Sequence, residues 1–243
     1  MSRFFLYFAF DGSNYAGWQA QPNAPSVQAT VERALAILAQ QPVHLTAAGR
    51  TDAGVHARAM PTHFDPPPHL IPLLADLRRL NSLLPPDIAA TYFRPVPPDA
   101  HARFDATSRT YVYILSPRKN PFLRQLALTY PTHLLDRMDM NDAANLLLHT
   151  DDFTSFAKLH AGTNNNRCRV THAAWDDDFT FTITADRFLR NMVRAIVGTL
   201  LDVGRGKLSV SDFQRIIDAR DRAAASTSAP PHALFLHHVT YFF

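Results

Sequence analysis

Between Ala48 and Ala57 the chain reads AGRTDAGVHA, which sets one carboxylate, Asp52, among two glycines, Arg50, Thr51 and His56 with almost nothing to bury. Gly49 and Gly54 permit backbone angles and close approaches that other residues resist, so such a loop can hold Asp52 against a ligand. The same residue types also suit an aspartate that only shapes its own turn. An aspartic protease needs Asp-Thr/Ser-Gly and a second carboxylate sharing the proton, whereas this loop carries Asp-Ala-Gly, once. Glycosidases generally need two carboxyl groups, and no second acidic residue stands in comparable surroundings. A single carboxylate suits nucleophilic or general-base work.

Two further sites can do chemistry. In DRFLRNMVRAIVGTLLDVG, read as one long helix from Asp186, Phe188, Leu189, Met192, Val193, Ile196, Val197 and Leu200 form an apolar arc. Arg187, Arg190 and Arg194 then fall within roughly 60° at its edge, either reaching into a cleft or covering apolar surface with their stems. Tyr111 lies in SRTYVYIL, where a strand tyrosine either packs in the core with its hydroxyl satisfied or stacks on an extruded base.

Composition narrows the partners. With 243 residues the chain can bury one large core or two small ones, and no run of about eighteen apolar residues is present to span a membrane. The opening FFLYFAF reads as a buried strand, and the expectation is a cytosolic, cytoplasmic protein. Cys168 is the single cysteine, which excludes an intramolecular disulfide and a cysteine-based zinc site, and no HExxH-like spacing occurs. Metal chemistry is not expected. Lys119, Lys158 and Lys207 are the only lysines, so 21 of the 24 basic residues are arginine, and Glu32 is the only glutamate among 21 acidic residues. Arginine binds phosphate bidentately and stacks on bases, which is compatible with an RNA partner, although a GC-rich genome gives the same bias.

The elements that must position these groups follow from periodicity. RFFLYFAF is a strand; Ser26 caps a helix over VQATVERALAILAQ; VHLTAAG and ARAMPTHFD are extended on either side of the Asp52 loop. PHLIPLLADLRRLNSLL is a helix broken at its start by prolines, and DIAATYFRPVP is a strand. The second half repeats the theme: strand RTYVYILS, helix MNDAANLLLHT, a hairpin of RCRVTHAAW and FTFTITAD across Asp176 to Asp178, and the long arginine-edged helix. A helix SVSDFQRIIDA then opens on a Ser209/Asp212 capping box, RAAASTSAPPHA is an irregular connection, and LFLHHVTYFF is a last strand. The fold class expected is α+β, two ferredoxin-like (RRM-like) halves with antiparallel sheets. The boundary falls in the proline-rich PVPPDAHA, giving an N-terminal domain over 1-100 and a C-terminal domain over 101-243.

FDGSNYAGWQAQP, GRTDAGVHA, ARFDATSRTYVYIL, DDFTSFAK, ADRFLRNMVRAIVGTLLDVG and SAPPHALFLHHVTY, in this order, resemble the motifs of the tRNA pseudouridine synthase A (TruA) family across essentially the whole chain. The resemblance implies an isomerase that converts uridine to pseudouridine at positions 38, 39 and 40 of the tRNA anticodon stem-loop. Neither metal nor cofactor is then required. It implies Asp52 as the nucleophile, Arg194 as its ion-pair partner, Tyr111 as the residue stacking against the target uracil, and Arg50 and Arg58 as contacts to the RNA backbone. It also implies that the two halves flank a central basic catalytic cleft, and a homodimer in which one tRNA crosses both subunits. Two places depart from the family pattern: Ala233, where relatives carry glycine, and AGTNNNRCRV, where an altered RNA contact is expected.

Overall fold

Strand β1, Phe4–Phe10, buries Phe5, Leu6 and Phe8 completely, each such side chain contributing about 1.5–3 kcal/mol. Trp18 packs its indole against Phe8 and Phe10, at ring separations of 6.1 and 5.9 Å. Helix α1, Val27–Ala39, starts where the Ser26 hydroxyl accepts from the Ala29 N–H, buries Val27, Val31, Ala34 and Leu35, and stops at Gln40 in the left-handed region (φ 53°). The computed structural model describes residues 2–158 and 165–243, and the chain divides into two compact units, Met1–Thr107 with Phe235–Phe243, and Ser108–Leu234.

In the first unit, β3 (His56–Phe64) and β4 (Ile88–Pro95) both pair antiparallel with β1. The far end of β3 takes the two-residue strand β2, Thr46–Ala47, opposite His63 and Thr62. Its near end takes the final strand of the chain in parallel, with His56 opposite Phe235 and Ala57 opposite Leu236. The helix expected over residues 68–84 is two short ones, α2 (Ile71–Ala75) and α3 (Arg78–Asn81). Asp76 separates them in an extended conformation, its carboxylate capping the Arg78 N–H and binding the Arg78 guanidinium.

In the second unit, β5 (Ser108–Ser116) pairs antiparallel with β8 (Thr180–Ala185), and β8 with β7 (Val170–Trp175). A short strand β6, Leu128–Thr129, runs parallel to the end of β5 and was not expected from the sequence. The β7–β8 hairpin turns at Asp176, whose Oδ1 accepts from Asp178 N and Thr180 N while Phe179 takes a positive φ of 55°. Helix α4, Arg137–Leu146, is capped by Asp136, and α6, Val210–Ala219, opens on the Ser209/Asp212 capping box. Between them α5, Met192–Gly204, buries Val193, Ile196, Val197 and Leu200. The last strand, β9, spans Leu234–Thr240. The architecture is α+β, mostly antiparallel. Among the described residues no helix is long and apolar enough to cross a membrane.

The long arginine-edged helix starts six residues later than the periodicity suggested. Asn191 sits in the left-handed region (φ 66°) and interrupts any helix running in from Asp186. Arg187 and Arg190 therefore precede α5 and do not form a helical stripe with Arg194, which alone of the three lies on it.

Candidate active site

Asp52 is the first residue of a tight turn in which the Val55 N–H donates to the Asp52 carbonyl at 3.1 Å. Gly54, third in that turn, has φ 77°, the conformation such a position favours. Gly49 has no such demand on it, since a Cβ there would meet nothing within 4 Å. The turn is docked on the segment Asp11–Trp18. Gly54 N–H donates to the Tyr15 carbonyl (3.2 Å), and Trp18 N–H donates to the hydroxyl of buried Thr51 (3.1 Å). Gly17 adopts φ 98°, and a Cβ there would collide with the Thr51 carbonyl and crowd the Asp52 carbonyl carbon.

Both ends of the docked segment are tied down. Gly12 N–H donates to Nδ1 of fully buried His56 at 3.0 Å, and the His56 ring stacks on Phe235 at 4.6 Å. Because Nδ1 accepts there, the Asp11 carboxylate 3.1 Å from the same nitrogen is a neighbour, not a hydrogen-bonded partner at that atom. Asp11 instead accepts from the Ser13 amide and hydroxyl. Tyr15 donates to Asp87 at 2.8 Å, and burial together with that bond pushes its phenol pKa up. Asp52, half-buried, is thus carried on a loop whose backbone is fixed on both sides. Besides the loop's own Gly54, Gly12 and Gly17 in another motif are needed where the two segments of the chain approach, since a Cβ on either would collide with the Val55 or Thr51 carbonyl.

Arg50 and Arg58 are both exposed in this unit. Arg58, two residues into β3, lies over the Phe235 ring at 5.4 Å, and its Nη1 is 3.4 Å from His237 Nδ1. Desolvation, and then the Arg58 charge, lower the His237 pKa, which disfavours a second cation there.

The second unit carries the other two candidates. Tyr111, half-buried on β5 opposite Ile183, meets Phe188 edge-on at 5.1 Å and 83°. Tyr113, on the same face, is completely buried and donates to the Pro230 carbonyl at 3.0 Å, so it serves the core. Phe188, which the sequence assigned to a helical arc, is the aromatic neighbour that orients Tyr111. Arg194 is half-buried on α5, with Nε donating to the Ala229 carbonyl at 2.8 Å. Cys168 is buried and its thiol is pushed up to about 12 by burial, which leaves it unreactive. The altered contact expected in 161–170 falls partly on residues 161–164, outside the described residues. No group of three or more His, Cys, Asp or Glu side chains among the described residues could hold a metal ion.

A model of the tRNA pseudouridine synthase family matches residues 143–242. Over nearly the whole chain there is 55% identity to a tRNA pseudouridine synthase A of Porphyromonas gingivalis, covering 99% of this chain and 98% of that one. A tRNA pseudouridine synthase A of Parabacteroides distasonis is 52% identical (99% and 96% covered), and one of Geobacter sulfurreducens is 41% identical (97% and 98%). The chain belongs to the tRNA pseudouridine synthase family, isomerases that act on uridine in tRNA.

Proposed function

We propose that this enzyme isomerises uridine to pseudouridine at positions 38, 39 and 40 of the tRNA anticodon stem-loop, with Asp52 as the nucleophile. The N1–C1′ glycosidic bond breaks, the uracil turns while bound, C5 bonds to C1′, and the proton lost from C5 is balanced by one gained at N1. No atom is added or removed. An ionised carboxylate can attack C1′, attack C6 or remove a ribose proton, and each route needs it held within reach of the reacting atoms. The observation that carries the reading is the docking of the Asp52 turn on Gly12–Trp18, a rigidity that an aspartate serving only its own turn would not need.

A paired uridine must leave its stack at a cost of a few kcal/mol, and stacking on Tyr111 offsets it. In this reading Arg194 supplies the ion-pair partner of Asp52. Arg50 and Arg58 hold the RNA backbone, a role supported by the exposure of both and by the stacking of Arg58 on Phe235. The strand order β4-β1-β3, with β2 on β3, supports a ferredoxin-like reading of the N-terminal domain, which carries the Asp52 loop, while Tyr111 and Arg194 belong to a C-terminal domain of the same kind. The protein works in the cytoplasm as a homodimer, which light scattering on the purified protein tests.

The decisive experiment is tritium release from tRNA transcripts labelled at uridine C5, with wild-type and Asp52→Asn protein, followed by mapping of the modified positions. Release confined to the wild type and to the anticodon stem-loop is expected, with tRNA affinity of the variant kept within severalfold. Release by Asp52→Asn, or loss of tRNA binding together with turnover, would overturn the role given to Asp52.

A further inference from the structure

We infer that the segment Ala225–Pro230 is a brace that sets the guanidinium of Arg194, and that Asn191, Ser228 and Arg222 are its positioning residues in the isomerisation. The inference rests on the role of Arg194 proposed above. Ala229 grips Arg194 twice: its N–H donates to the Arg194 carbonyl at 2.9 Å, and its carbonyl accepts from Arg194 Nε at 2.8 Å. A guanidinium is planar, so fixing Nε fixes the plane and the direction in which the Nη edge meets a carboxylate. The aim of that edge is then only as good as the position of Ala229.

That position is set by contacts with no other evident purpose. Ser228 Oγ accepts from Asn191 Nδ2 at 2.6 Å and from Arg222 Nη2 at 3.0 Å. Arg222 Nη1 donates to the Ala225 and Ser226 carbonyls, both at 3.2 Å, and Ser226 N–H donates to Thr199 Oγ1 on α5 at 3.3 Å. Gly198 lets the Thr227 carbonyl lie against the helix, where any Cβ would collide with it. Pro230, next to Ala229, accepts from the Tyr113 hydroxyl, so the brace also touches the strand that carries Tyr111.

Asn191 shows that the arrangement is specific. It opens α5 in the left-handed region, which Asn tolerates better than most residues, and it makes no side-chain cap. Its amide goes to Ser228 instead. Composition hides this: RAAASTSAPPHA reads as a loose connection, yet its residues are hydrogen-bonded to Asn191, Arg194, Thr199 and Tyr113 outside it and to its own Arg222.

The test is a double-mutant cycle in steady-state tritium release. Ser228→Ala removes the shared acceptor, and Asn191→Gly keeps the positive φ while deleting the amide. Each is expected to lower kcat by about tenfold, with KM for tRNA changed less than about twofold and with folding intact at the assay temperature. Ser228→Thr, which keeps the hydroxyl, is expected to retain activity. In an Arg194→Lys background, where the Nε bond is already lost, Ser228→Ala is expected to cost nothing further, because both changes break one arrangement. Wild-type kcat in Ser228→Ala, or the same fractional loss in both backgrounds, overturns the brace while leaving Arg194 in place. An Arg194→Lys enzyme with wild-type kcat overturns instead the role of Arg194 itself, and the brace falls with it.

Discussion

At the scale of single residues, Gly17 tests how far the position of Asp52 is dictated from outside its own loop. Gly17→Ala would force a Cβ against the Thr51 carbonyl and strain a φ of 98°. It should destabilise the fold by about 1–3 kcal/mol and lower turnover by at least about tenfold, more than the stability loss explains. Urea unfolding and tritium release on the same preparation measure both, and normal turnover would mean the docking is not needed to place the carboxylate. His63 offers a second test, of stability alone. It is buried, its Nδ1 accepts from the Ala102 N–H, and burial first, then the neighbouring His101 and Arg3 charges, push its pKa down to about 4. A histidine depressed in the folded state is favoured neutral there, so its contribution is fully present above an unfolded pKa of about 6.5 and is lost as pH falls towards 4. The contribution is about 3 kcal/mol in total. The wild type should therefore lose more stability between pH 7 and pH 4.5 than His63→Asn, which keeps an acceptor but does not titrate; parallel losses in urea unfolding at the two pH values would count against it.

At the scale of elements, one edge strand in each unit is tied to a helix in the same way. Asn81, the last residue of α3, donates to the Ala90 carbonyl (3.0 Å) and accepts from the Ala90 N–H (2.7 Å) on β4. Asn141 on α4 does the same to Trp175 on β7, at 3.1 and 2.7 Å. Each amide stands in for a missing neighbouring strand and ties a helix to an exposed edge. Asn81→Ala or Asn141→Ala should cost about 1–3 kcal/mol by urea unfolding, because a strand N–H and C=O both lose their partner; a loss under about 0.5 kcal/mol would show that water replaces the amide. Neither clamp is legible in the sequence, since an asparagine in a polar run carries no periodic signal. What was legible had a local cause: Ser26 and the apolar spacing of α1, the Ser209/Asp212 box, the Asp176 turn. What was misread turned on one residue's backbone, left-handed Asn191 before α5 and extended Asp76 between α2 and α3. The Asp52 loop and Tyr111 stand out as candidates by residue type, whereas the contacts of Gly17, Phe188 and Ser228 are with segments far away in sequence.

At the scale of the whole molecule, a formal charge of only +3 cannot by itself draw in a polyanion, so RNA affinity must come from arginines placed where phosphates run. Binding should then weaken with salt, log K falling against log [salt] by about 0.7–0.9 for each phosphate neutralised. Arg58 is the informative position. It is exposed, it sits two residues into the strand that leaves the Asp52 loop, and the Phe235 ring and His237 hold its guanidinium in one place. Arg58→Ala should weaken tRNA binding uniformly across sequences and reduce the salt slope by about 1, with little effect on stability. Arg58→Lys separates charge from geometry: an ammonium keeps the slope but loses the planar stack on Phe235, so binding should recover more than turnover if the guanidinium also orients the bound nucleotide. Filter-binding titrations from low to high salt give the slope. An Arg58→Ala slope equal to that of the wild type would mean that the guanidinium meets no phosphate and belongs to the Phe235 stack alone.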